Sequence, residues 1–153
     1  EILDDVLYLG TDQGVQRFNP ADNENPKWLV SPDVPESVRG LAVVDLAVGV
    51  DGIIFAATSS GLHKYDQELN YVGSDDRTTG LLSNQITAVA VRTDGRLYVG
   101  SLGGLNLWDP ESSMWRPVSI GHHLQGQRIE GLLTTTTNEI WVRTSAGIAR
   151  LID

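Results

Sequence analysis

The side chains best suited to chemistry in this 153-residue chain are three histidines, His63, His122 and His123, and a scatter of carboxylates. Acid–base catalysis or metal binding would need partners for them at set spacings. His122 and His123 are adjacent in the polar stretch Gly121-His122-His123-Leu124-Gln125-Gly126-Gln127-Arg128. Neighbours on an extended segment point apart, so the pair alone makes no bidentate metal site. Loop polarity and ligand contact both remain open for it. His63 follows Leu62 in an alternating segment and reads as a strand residue. Asp75-Asp76 and Asp94-Gly95 fall in turns without the ligand spacing of a calcium loop. Phosphate-loop, dinucleotide, nucleophile-elbow and zincin motifs do not occur. Acidic residues are too many for a glycosidase pair to be singled out. There are no cysteines, which excludes disulfides, thiolate–zinc sites and thiol nucleophiles. No catalytic residue, metal or cofactor is therefore expected.

The formal net charge of -9 argues against nucleic acid as a partner, because phosphate affinity comes mainly from Lys and Arg. It equally disfavours docking on anionic lipid, so no direct membrane contact is expected. No apolar run approaches the roughly 18–20 residues of a membrane helix. The opening Glu1-Ile2-Leu3-Asp4-Asp5 lacks the regions of a signal peptide, and any such signal is expected outside this sequence.

What organises the chain is a repeat. Gly10-Thr11-Asp12-Gln13-Gly14, Ala57-Thr58-Ser59-Ser60-Gly61, Gly100-Ser101-Leu102-Gly103-Gly104 and Arg143-Thr144-Ser145-Ala146-Gly147 share one pattern, and their last glycines step by 47, 43 and 43 residues (14 to 61, 61 to 104, 104 to 147). Three residues before the hydroxyl column of Thr11, Thr58, Ser101 and Thr144 stands an aromatic: Tyr8, Phe55, Tyr98 and Trp141. Phe18, Tyr65, Trp108 and Leu151 form a further column, and Trp28, Tyr71 and Trp115 an outer one. Each unit reads as four short strands with a tight hairpin at Asp51-Gly52, Asp94-Gly95 or Asn138-Glu139.

Four-stranded units of this period predict an all-β fold, a β-propeller arc of about three and a half four-stranded antiparallel blades belonging to a larger propeller. With strands lettered A to D from axis to rim, residues 1–37 supply B–D, 38–85 and 86–128 full blades, and 129–153 A–C. The glycines suit a turn needing positive φ. The hydroxyls suit bonds to turn or neighbouring-blade backbone, and the aromatics interblade packing, with sugar stacking the alternative. An open arc leaves two blade faces wet, so the remaining blades of a parent propeller, or a second copy, are expected as partners.

Function is expected in the irregular connections. D-to-A and B-to-C connections open on one face around the funnel, and the polar residues there are Arg39, Asn84, Gln85, His122, His123, Gln127 and Arg128. Inner strands crowd at the axis, which suits Gly40, Ala88 and Gly131 at one aligned position. Convergent polar groups at a concave mouth are the default binding-site reading, against plain loop solvation.

The stretch from Thr79-Gly80-Leu81-Leu82-Ser83-Asn84 through Asp94-Gly95-Arg96-Leu97-Tyr98-Val99-Gly100-Ser101-Leu102-Gly103-Gly104-Leu105 to Trp108-Asp109-Pro110 resembles the two-component regulator propeller repeat. Leu82 replaces that repeat's usual Pro, and Ala57 and Arg143 its Gly. The resemblance implies a periplasmic or extracellular sensor region of a bacterial signal-transduction protein, anchored in the inner membrane and carrying a kinase or diguanylate cyclase module elsewhere. It implies no enzymatic activity in this segment and an oligosaccharide or other small molecule as ligand. A propeller lyase or hydrolase and a protein-interaction scaffold are the competing readings.

Overall fold

The computed structural model describes residues 1–21, the backbone of 29–30, and residues 34–120 and 126–151. These contain strands and no helix, and so nothing helical that is long and apolar enough to cross a membrane. The first sheet is β1 (Ile2–Leu3), β2 (Val6–Thr11), β3 (Gly14–Phe18) and β4 (Leu29–Val30). The second is β5 (Asp45–Val48), β6 (Ile54–Thr58), β7 (Gly61–Tyr65) and β8 (Tyr71–Asp75). The third is β9 (Ile86–Val91), β10 (Leu97–Ser101), β11 (Gly104–Asp109) and β12 (Met114–Val118). The fourth is β13 (Ile129–Thr134), β14 (Ile140–Thr144) and β15 (Gly147–Leu151). Each is an antiparallel meander in chain order, the form of a propeller blade.

Two features correct the sequence reading. Residues 1–37 were expected to supply strands B to D alone, yet β1 adds a short innermost strand. Asp4 (φ 49°) and Asp5 (φ 63°) reverse the chain in a left-handed two-residue hairpin that lacks the usual glycine signal. The inner strand of the second blade is also displaced. Arg39 and Gly40 lie in a turn where the Val38 and Arg39 amides both donate to the Pro35 carbonyl. Strand β5 begins only at Asp45, which pairs with Ala57 as Ala88 pairs with Gly100 and Gly131 with Arg143. Asp45, not Gly40, therefore occupies the aligned axial position.

The B–C turns close on themselves. Thr11, Thr58, Ser101 and Thr144 each donate to the carbonyl of the turn's last glycine, at 2.9, 2.9, 3.1 and 3.2 Å, and each accepts an amide from inside the turn. That glycine is left-handed in every copy, as at Gly104 (φ 124°), where a side chain would be strained. In the A–B hairpins the matching position holds Gly52, Gly95 and Asn138, and Asn is a residue that tolerates this conformation comparatively well.

The apolar interior lies between blades. Tyr8 and Val15 pack on Leu46, Ile54 and Tyr65; Ala57 and Leu62 on Ile86, Val89 and Leu97; Tyr98 and Leu105 on Ile129, Ile140 and Val142. A buried aliphatic side chain of this kind contributes about 1.5–3 kcal/mol. Gly100 lets the third and fourth blades approach closely, for a Cβ there would stand 2.4 Å from Ile129 Cγ2. The outward faces of the end blades carry the same columns uncovered. Trp141, in the column of buried Tyr8 and Tyr98, is 39% exposed, and Ile148, in the column of buried Leu62 and Leu105, is 67% exposed. At the other end Leu9 is 44% exposed where its counterpart Ala56 is buried.

Candidate functional site

One face is defined by contacts between D–A connections and B–C turns. The Leu102 amide donates to the Gln85 carbonyl at 3.2 Å, and the Ser145 hydroxyl to Gln127 Oε1 at 3.4 Å. Asn106 anchors one connection from below: buried, it accepts the Leu82 amide at 3.0 Å and reaches the Gly80 carbonyl at 3.4 Å. Asn84 Oδ1 accepts the Arg77 amide at 2.9 Å, which shapes the loop. Gln85 is exposed, with its amide on the Ser83 hydroxyl. Arg39 and Arg128 are exposed on the flanking connections. Gln127 is half-buried and lines a cavity of about 320 Å³ together with Leu82, Gly103 and Ser119. His122 and His123 lie outside the described residues.

Sequence reasoning missed Asp45. It faces the inner-strand surface, lining a cavity of about 290 Å³ with Glu1, Val89 and Thr134. Its two oxygens accept the Leu46 amide at 3.0 Å and the Val89 amide of the next blade at 2.9 Å. Burial pushes its carboxyl above the ordinary carboxylate value despite those donors. With both oxygens committed to backbone, its evident work is to join inner strands, as the Thr87 hydroxyl does by donating to the Ile129 carbonyl at 2.6 Å. The signal was available: counting six residues back from the hairpin aspartates Asp94 and Asp51 gives Ala88 and Asp45.

The remaining titratable candidates are structural. Asp75 pairs with Lys64 at 3.0 Å, and Asp76 accepts the Thr78 amide and hydroxyl, which hold its carboxyl below the ordinary range. No group of three metal-ligating side chains occurs among the described residues. His63 is 3% exposed, with Nδ1 3.4 Å from the Tyr71 hydroxyl and Nε2 unpartnered. Burial lowers its pKa below 6.5. The folded state thus resists a proton that the unfolded chain accepts. Stability is full above pH 6.5 and declines as pH falls toward the folded value. His63→Asn, which installs the residue found at Asn106, should flatten that decline in urea unfolding measured from pH 7.5 to 5. An unchanged slope would mean that other groups set it.

No protein-family profile and no curated protein matches the sequence. Solved structures do. An extracellular domain assigned to a one-component system of B. thetaiotaomicron (BT4673) aligns at TM-score 0.76 and 21% identity, over 98% of this chain and 20% of that one. The extracellular domain assigned to the hybrid two-component system BT3049 of the same organism aligns at TM-score 0.77 and 18% identity, over 97% and 20%. A streptogramin B lyase aligns at TM-score 0.72 and 10% identity, over 96% and 47%. These likenesses show the β-propeller fold, and the chain spans about a fifth of the length of the two extracellular domains.

Proposed function

We propose that this chain is part of a ligand-sensing, non-catalytic β-propeller on the outer side of a bacterial inner membrane, in a two-component sensor, hybrid kinase or diguanylate cyclase. The observation that carries this reading is the likeness, over nearly the whole chain, to extracellular domains assigned to such signalling systems. The resemblance of the sequence to the two-component regulator propeller repeat also supports it. The ligand is a carbohydrate or similar small polar molecule, held where D–A connections and B–C turns meet. Arg39, Asn84, Gln85, Gln127 and Arg128 offer donors and acceptors there, with His122 and His123 on the same connection as Gln127. Screening the chain on a glycan array and titrating the best binder tests this. Arg39→Ala, Asn84→Ala and Arg128→Ala should each weaken binding about tenfold, as expected for a lost hydrogen bond to a charged or polar group; the unfolding midpoint should stay unchanged in the two arginine variants and fall slightly in Asn84→Ala, which also removes the acceptor of the Arg77 amide. Unaltered affinity in all three would displace the site.

Enzymatic activity is the second reading, favoured by the likeness to the lyase. Turnover abolished by replacing His122 and His123 would establish it instead.

Further blades of the same parent complete the ring. The exposed Trp141 and Ile148 continue columns that are covered at the interior interfaces, and the sensor domains are about five times longer than this chain. Sedimentation of the chain alone should show self-association or partial unfolding. A well-folded monomer up to about 100 μM, a concentration that would populate even weak contacts, would count against it; a discrete dimer would favour a second copy as the covering partner.

A further inference from the structure

The repeat departs from itself at one interface. Between the first and second blades, buried Tyr8 reaches across to donate its hydroxyl to the Gln67 carbonyl at 2.8 Å, beside fully buried Leu69. At the corresponding place between the second and third blades stands Phe55, which has no hydroxyl and is only half-buried. The C–D hairpin opposite it carries exposed Ser112 and Ser113 in place of Leu69. Gly49, at the position of Arg92 in the next blade, adds no side chain to the space; a Cβ there would press on Phe55 Cε2 at 3.0 Å. The result is a cavity of about 300 Å³ that opens on the face of the A–B and C–D hairpins, away from the mouth.

Its walls are apolar and aromatic: Phe55, Val50 and Val72 from one blade, Trp108, Pro110 and Trp115 from the other. The two indoles lie 5.4 Å apart at 59°. Lys64 and Asp75 also line it and pair at 3.0 Å, while exposed Asp51, whose carboxylate accepts the Ile53 amide, adds one negative charge that disfavours an anionic ligand. Trp115 is 9% exposed and its buried Nε1–H has no hydrogen-bond partner. A buried donor left in that state costs about 1–3 kcal/mol, which a ligand acceptor recovers once the indole tilts to bring the shielded N–H to the cleft. The volume is at the small end of the range for ligand pockets.

We propose that this cleft binds a small, neutral, planar aromatic molecule bearing a hydrogen-bond acceptor. The ring lies against Trp108 and Phe55, and the Trp115 indole tilts to present its N–H to the acceptor. This site is separate from the mouth and does not depend on the sensing reading.

The test is a fluorine NMR titration of the full chain with 4-fluorobenzamide, a neutral ring with an amide carbonyl. The probe resonance should broaden and shift at about 1 mM or below, the range open to a fragment-sized ligand. Phe55→Tyr should abolish the effect, because the added hydroxyl fills the cleft and reaches the Pro110 hairpin as Tyr8 reaches Gln67. Val72→Phe fills the same space from exposed strand β8 and should do likewise, which covers misfolding of the first variant. Trp115→Phe keeps a ring, removes the donor and should weaken binding about tenfold. Arg150→Ala, at an exposed position of β15 outside both sites, should leave the probe titration unchanged. Absence of binding to the wild-type chain, or binding unaltered in both filling variants, would overturn the proposal.

Discussion

Gly100→Ala is expected to destabilise the chain by about 2–3 kcal/mol, at the upper end for overpacking, although it adds a single methyl group. The backbone at Gly100 is not left-handed, so conformational strain plays no part. The added Cβ would stand 2.4 Å from Ile129 Cγ2 and 2.8 Å from Ile129 Cβ. Ile129 is wholly buried and β-branched, so it cannot swing both atoms clear. Ala57 occupies the same column one blade earlier, packed in one cluster with Ile86. A methyl is therefore compatible with the fold where blades are spaced to admit it. Ile129→Ala alone should cost about 2–5 kcal/mol through the cavity it leaves. The double variant should cost less than the sum of the two by more than about 1 kcal/mol, since each change relieves the other. Urea unfolding of the four proteins measures this. Additivity within about 0.5 kcal/mol, as for independent sites, would mean that the interface adjusts without Ile129.

Asn106→Leu should be nearly as damaging, at about 2–3 kcal/mol, for a different reason. Leucine matches the volume but leaves the Leu82 N–H and the Gly80 carbonyl without their partner. The loss should be local first: hydrogen exchange at Leu82 should accelerate before the rest of the third blade is affected. Since that connection carries Asn84 and Gln85, any ligand held at the mouth should be lost with it. Unchanged exchange at Leu82 would show that the loop is fixed by other contacts. The variant thus connects stability to the proposed function through one side chain.

Much of this architecture was legible because its determinants are local. The hydroxyl–glycine turns satisfy themselves within four residues, and the Asp-Gly hairpins announce their own geometry. The second blade's inner strand was harder to place, because Leu41-Ala42-Val43-Val44-Asp45-Leu46-Ala47-Val48 is apolar enough to fit several registers. Only tertiary pairing with Ala57 decides among them. Strand β1 was missed because Asp-Asp reads as a solvated turn and its hairpin needs two left-handed residues without glycine. The proposed mouth residues were chosen by topology, as loop side chains facing solvent follow no period; the structure puts Arg39 on the turn at 36–40. The interblade cleft could not be read at all. It exists through what Phe55, Gly49 and Ser112 fail to fill, and a missing atom leaves no pattern in one sequence.

The uncovered end faces give the arc a direction. One end offers Trp141 and Ile148, the other Leu9 beside half-buried Leu7 and Phe18. Copies that met through these surfaces would join unlike to unlike, and every junction would leave a fresh pair of ends. Such head-to-tail addition stops only when the accumulated rotation returns to its start; otherwise it propagates as a filament. The closed circle of a complete propeller is thus also the device that keeps its blades from polymerising.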